Sequence, residues 1–117
     1  MKNLPIMPSP ASIEINRGIK ERFYKAIVAL IERKVLKGRQ TYCRLYDIDK
    51  RNFYAQEKDL QEAKLKLYWL VPLVTEYGIS AHWLLTGTGR MFEPIAQRKQ
   101  RESAYDKETG LPTTGEP

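Results

Sequence analysis

The sequence predicts an all-α fold, and three observations carry that prediction. Apolar residues recur at spacings of three and four over 19–31 and again over 69–77, and residues suited to start or stop a helix punctuate the chain. No segment shows the strict apolar–polar alternation of a half-buried strand.

The first predicted helix is the clearest. Ile19, Phe23, Ile27, Leu30 and Ile31 form one stripe, with Lys20, Arg22, Lys25 and Glu32 between them. Asn16 is placed to cap its start and Gly38 to close its end. Residues 1–15 carry Pro5, Pro8 and Pro10 without periodicity and read as a flexible, extended arm. Tyr42, Cys43, Leu45 and Tyr46 then give a second helix of about two turns, which stops near Asp47, a residue type that tolerates the left-handed backbone. Asp49 suits the N-cap of a third helix running from Lys50 to about Lys58. Residues 59–66 read equally as a loop or a further helical turn.

Trp69, Leu70, Leu73, Val74 and Tyr77 share a face of a fourth helix from near Tyr68 to Gly78, with Pro72 acceptable inside its first turn. A fifth follows from Ser80 as N-cap through Trp83, Leu84 and Leu85 to Gly87. These five helices make one domain over 16–93. Residues 94–117 form a polar tail, partly helical over IAQRKQRESAYDKE and disordered beyond.

Composition narrows the class. A chain of 117 residues with 42% hydrophobic and 29% charged residues is that of a globular protein. Cys43 is the only cysteine and His82 the only histidine, so neither a disulfide nor a metal site is expected, and no cofactor is called for. No stretch approaches the roughly 20 apolar residues of a membrane span. MKNLPIMPSP is broken by prolines where a signal peptide needs a continuous apolar run, so the expectation is a cytoplasmic protein without membrane association.

The net charge of +6 is unevenly placed. Residues 33–58 hold Arg33, Lys34, Lys37, Arg39, Arg44, Lys50, Arg51 and Lys58 against Asp47, Asp49 and Glu57, whereas 1–15 and 94–117 are each neutral. A polyanion is the partner this distribution suits. The same segment reads as a helix-turn-helix. Cys43 is small enough for two helices to approach, Asp47 can turn the chain, and Ile48 and Phe53 supply the apolar residues that lock the second helix onto the first. With Phe53 inward, Lys50, Arg51, Tyr54, Ala55 and Lys58 fall on the opposite, basic and aromatic face.

Roles follow from chemistry. Arg51 and Lys50 suit guanine O6 and N7, Ala55 a thymine methyl, and Asn52 adenine or a phosphate. Tyr54 suits a phosphate through its hydroxyl, or equally a ring lying on the domain surface. Arg39, Gln40 and Thr41, opening the second helix, together with Lys37 and Lys58, are the phosphate candidates. The plainer alternative, a merely solvated charged face, loses weight because a helix and turn of the right pattern precede it.

Ser80, Trp83, Leu84, Leu85, Thr86, Gly87 and Gly89, in ISAHWLLTGTGRMF, resemble the Ser-x-x-Trp-Leu-Leu-Thr-Gly-x-Gly signature that closes the DNA-binding domain of phage CI-type repressors and related Cro/CI-like (XRE-type) regulators. The resemblance covers roughly 16–92. It implies a five-helix lambda-repressor-like fold, operator binding as a homodimer with the fifth helix near the two-fold axis, and base reading by the third helix. The chain departs from the pattern at Asp47, often Gly, at Cys43, often Ala, and at Gln56, often apolar. The polar tail is too short for the self-cleaving module of full-length CI-type repressors.

The expected function is thus a sequence-specific double-stranded DNA-binding transcriptional regulator, a repressor of phage or mobile-element type. The alternative is a protein-interaction module such as an antitoxin, whose neutral tail over 94–117 orders on a partner protein. Nothing assembles a nucleophile, base and oxyanion site, so an enzyme is not expected. Trp69 and Trp83 fit core packing better than base stacking, Gly87 and Gly89 a helix end better than a phosphate loop, and LPTTG at 111–115 a chance match to a sortase signal.

Overall fold

The computed structural model describes residues 10–59 and 65–94. The expectations for residues 1–9, 60–64 and 95–117 lie outside them. The described chain is helical: α1 (Pro10–Glu32), α2 (Arg39–Leu45), α3 (Lys50–Lys58), a 3₁₀ turn (Leu67–Trp69), α4 (Val71–Thr75) and α5 (Ala81–Thr86). No described helix is long and apolar enough to cross a membrane.

Phe23 of α1 sits at the centre of the core, with the rings of Tyr24, Phe53, Tyr42 and Trp69 at 4.9, 5.9, 6.1 and 6.1 Å between centroids. Ile27, Leu30, Leu73, Ile79 and Leu84 complete it. An aromatic core must also satisfy its hydroxyls. Tyr24 donates to the Phe53 carbonyl at 2.7 Å and Tyr42 to the Trp69 carbonyl at 2.6 Å. These bonds tie α1 to α3 and α2 to the 3₁₀ turn, fixing how the helices meet.

Both predicted ends of the first helix move. α1 begins at Pro10, so residues 10–15 are helical and Asn16 lies within the helix rather than capping it. The extra turns bury little: Ile15 is 58% exposed, and Glu14 and Arg17 form an exposed ion pair at 3.0 Å. With no apolar stripe to read, the periodicity could not reveal them. Proline suits a helix's first position because its missing amide has no intrahelical acceptor there. At the other end α1 stops at Glu32, six residues before Gly38. Lys34 takes φ 63, its amide donates to the Ile31 carbonyl at 3.0 Å, and the Val35 amide donates to Leu30 at 2.9 Å. This is a Schellman closure made without glycine. Gly38 instead stands in extended backbone just before α2.

The predicted fourth helix divides in two. A proline ring clashes with the carbonyl four residues earlier, so an α-helix cannot run unbroken from Tyr68 through Pro72. The chain tightens into the 3₁₀ turn and restarts as α4 with Pro72 in its first turn. The expected face survives: Trp69, Leu70 and Leu73 are buried, and Val74 and Tyr77 pack against them. Leu65 and Lys66, at the end of the undecided 59–66 stretch, are not helical.

α5 matches its reading. Ser80 accepts from the Trp83 amide at 3.2 Å, and Gly87 ends the helix at φ 82. Beyond it the chain turns back and Ile79 pairs with Phe92 in an antiparallel bridge, with the Ser80 amide donating to Met91 at 2.7 Å and the Glu93 amide to Gly78 at 2.8 Å. The Arg33 guanidinium lies 3.8 Å from the Phe92 ring centroid and fastens this return to the end of α1. One pair of residues leaves no alternation along the sequence from which such a bridge could be predicted.

Candidate nucleic-acid interface

α2 and α3 meet across a tight turn, and the residues expected to make it do so. Asp47 adopts φ 55, and the Ile48 amide reaches back to the Cys43 carbonyl at 3.0 Å. Cys43, Ile48 and Phe53 are buried. Burial pushes the Cys43 thiol up, so it stays protonated and serves as a small apolar residue between the helices. Asp49 caps α3, its carboxylate accepting from the Arg51 amide at 3.2 Å. This cap sets where the helix starts and hence which side chains face out.

Phe53 and Gln56 anchor the inner face of α3, so the late position where a polar residue was a departure is buried all the same. Lys50, Arg51, Ala55 and Lys58 are exposed, and Asn52 and Tyr54 are half-buried. The structure thus brings the base-reading candidates onto one short helix. Tyr54 meets Phe53 edge-on at 5.8 Å and packs on the core. Among the phosphate candidates, Lys37 and Gln40 are exposed and Thr41 is half-buried beside them.

Arg39 differs from the free cation expected of a phosphate candidate. Its Nε donates to Glu57 Oε1 and Oε2 at 2.9 and 3.1 Å, and its Nη2 to Oε2 at 2.8 Å. A side-on bidentate pair therefore spans the start of α2 and the end of α3. These hydrogen bonds hold the guanidinium above even its high ordinary value, with Tyr54 adding a smaller Coulombic contribution. Glu57 entered the sequence reading only as a negative charge. No local signal links it to a residue 18 positions away; the pair exists because of the angle at which two helices cross.

Arg22 was also missed. It leaves α1 to donate from Nε to the Leu84 carbonyl at 2.8 Å and from Nη2 to Leu85 at 3.2 Å. It thereby caps the C-terminal end of α5 in place of a local residue. A methyl group at Gly87 would lie 2.9 Å from Arg22 Nη1, so the glycine serves both the left-handed turn and this approach.

The surface around α4 and α5 is of another kind. Leu67, Val71 and Leu85 are 83%, 53% and 52% exposed. Leu70, Val71, Val74, Ala81, Leu84 and Leu85 line a groove of about 220 Å³. His82 is exposed, and its Nε2 lies 2.7 Å from the Thr88 hydroxyl. Among the described residues no group of three His, Cys, Asp or Glu side chains could hold a metal ion. The chain matches no family model, no curated protein and no solved structure.

Proposed function

We propose that this protein is a sequence-specific double-stranded DNA-binding regulator, a repressor of the phage or mobile-element kind, whose α2–turn–α3 unit acts as a helix-turn-helix of lambda-repressor type. The observation that carries this reading is the pairing of a rigid inner face with a basic outer one on α3. Phe53 and Gln56 are buried while Lys50, Arg51, Ala55 and Lys58 are exposed, on a helix whose start is fixed by the Asp49 cap. A groove-reading helix needs both properties, because base contacts discriminate only when the side chains that make them are held in register. Lys37, Gln40 and Thr41 lie at the entrance to α2, where the first helix of such a unit crosses the phosphate backbone.

The protein acts as a homodimer on a two-fold symmetric operator. The exposed Val71 and Leu85 at the apolar groove support this, since adjoining large apolar side chains on a small domain mark an interaction surface. The test is selection of bound sequences from a random duplex library. The expected result is enrichment of two half-sites at a spacing near one helical turn or a multiple of it. No enrichment, even at low salt, would sink the reading.

A further inference from the structure

The Arg39–Glu57 pair joins the two helices that a DNA duplex would touch, and its geometry leaves part of the guanidinium open. A guanidinium has five N–H donors in a planar fork. Glu57 occupies the Nε and Nη2 side, and Nη1 makes no hydrogen bond among the described residues. The end formed by Nη1 and the second Nη2 hydrogen can still take a second oxyanion in bidentate fashion. Both side chains are part exposed, at 33% and 25%, so the open end is within reach of solvent and ligand.

The pair also sits in the right place. Glu57 follows Lys50 by seven residues, which returns it to within about 20° of the same direction around the helix. It therefore flanks the stripe of Lys50 and Tyr54. Arg39 is the first residue of α2. We infer that Glu57 is a positioning residue for DNA binding: it holds Arg39 by one edge so that the other edge meets a backbone phosphate of a duplex seated on α3. This rests on the DNA-binding reading above. Holding the long Arg39 side chain in advance means that its rotamer freedom is lost on folding rather than on binding. An acid at the edge of a DNA-binding face is otherwise hard to account for, since its long-range effect on phosphates is repulsive.

That opposition gives the test its sign. Glu57→Gln makes the protein more positive by one charge, so simple Coulomb attraction would tighten DNA binding. Positioning requires the reverse. Affinity for the selected operator duplex, measured against salt concentration, should fall about fivefold in E57Q, the scale of freeing one rotamer-rich side chain. E57D, which keeps the charge but shortens the reach, should fall in the same direction. R39A should weaken binding and lower the slope of log affinity against log salt by roughly 0.9, the value for one phosphate. Adding E57Q to R39A should then change affinity little. Equal or tighter binding by E57Q at an unchanged melting temperature overturns the inference while leaving DNA binding intact. Loss of the fold in both E57Q and E57D assigns the pair to stability and overturns it as well. Failure of the unaltered protein to bind the duplex at low salt instead overturns the DNA-binding reading, and does so before any variant is made.

Discussion

The two outward faces of this small domain differ in how they are built. The α2–α3 face is charged, and each part of it is fixed by something beneath: Phe53 anchors α3 from inside, Asp49 sets its first turn, and Glu57 grips Arg39 across the helices. The α4–α5 face is apolar, and its position is set from behind by Arg22, which reaches from α1 to the carbonyls of Leu84 and Leu85. One face is suited to reading a polar ligand of defined geometry, which demands register. The other is suited to burying area, which demands exposed apolar atoms on a firm support. The contrast teaches that a single aromatic core can hold two surfaces of opposite character, provided each has its own tether.

The largest effect should come from removing what the two faces share. Phe53→Ala deletes a fully buried ring that touches Phe23, Tyr24 and Trp69, and should cost about 3 to 5 kcal/mol in urea unfolding, loosening both faces together. If only the α2–α3 face loosened, the shared core would be the wrong account. Arg51→Ala should separate the faces. It should cost about 1 to 3 kcal/mol of affinity for the selected operator while leaving the melting temperature and the α4–α5 surface unchanged.

Gly87→Ala is the converse perturbation. The left-handed backbone alone makes it cost about 1 to 2 kcal/mol of stability. Displacement of Arg22 adds to this, and affinity of the folded fraction for a half-site duplex, which admits one copy, should hold. Asp49→Ala should cost about 1 kcal/mol through loss of the cap, and because that cap starts α3, the helix proposed to read DNA, affinity should drop with it.

The smallest effect concerns pH and tests the core rather than either face. Burial pushes the hydroxyls of Tyr24 and Tyr42 far above their ordinary value of 10.0. Groups with raised values in the folded state contribute stability that is fully present below the unfolded value and is lost as pH rises through the folded one. The urea midpoint should therefore show no tyrosine-linked decline up to about pH 9 and should fall above about pH 10. Tyr24→Phe should reduce that alkaline slope.

How much of this was legible in the sequence depended on whether the cause was local. The Asp49 and Ser80 caps, the Asp47 turn and the Gly87 stop were readable because each is satisfied within a few residues of itself. The burial of Trp69, Leu70 and Leu73 was readable from their spacing, although Pro72 divided the helix they were assigned to. The start of α1 was not, because its first turns face solvent and leave no apolar stripe. Its end was misplaced because Lys34 performs a turn for which glycine is the usual sign. The candidate reading face was legible as a run of side chains on one helix. Its tethers were not: Arg39 with Glu57 and Arg22 with α5 join residues 18 and more than 60 positions apart, and only the assembled helices bring them together.

The claim on which the rest depends is that the α2–α3 face is the one that meets DNA. Amide chemical-shift mapping of the protein titrated with a half-site duplex, which admits one copy, tests it most directly. Shifts should concentrate in residues 37–41 and 50–58 and fade as salt is raised, with residues 67–85 left in place. Shifts centred on α4 and α5, or none at low salt, would contradict it.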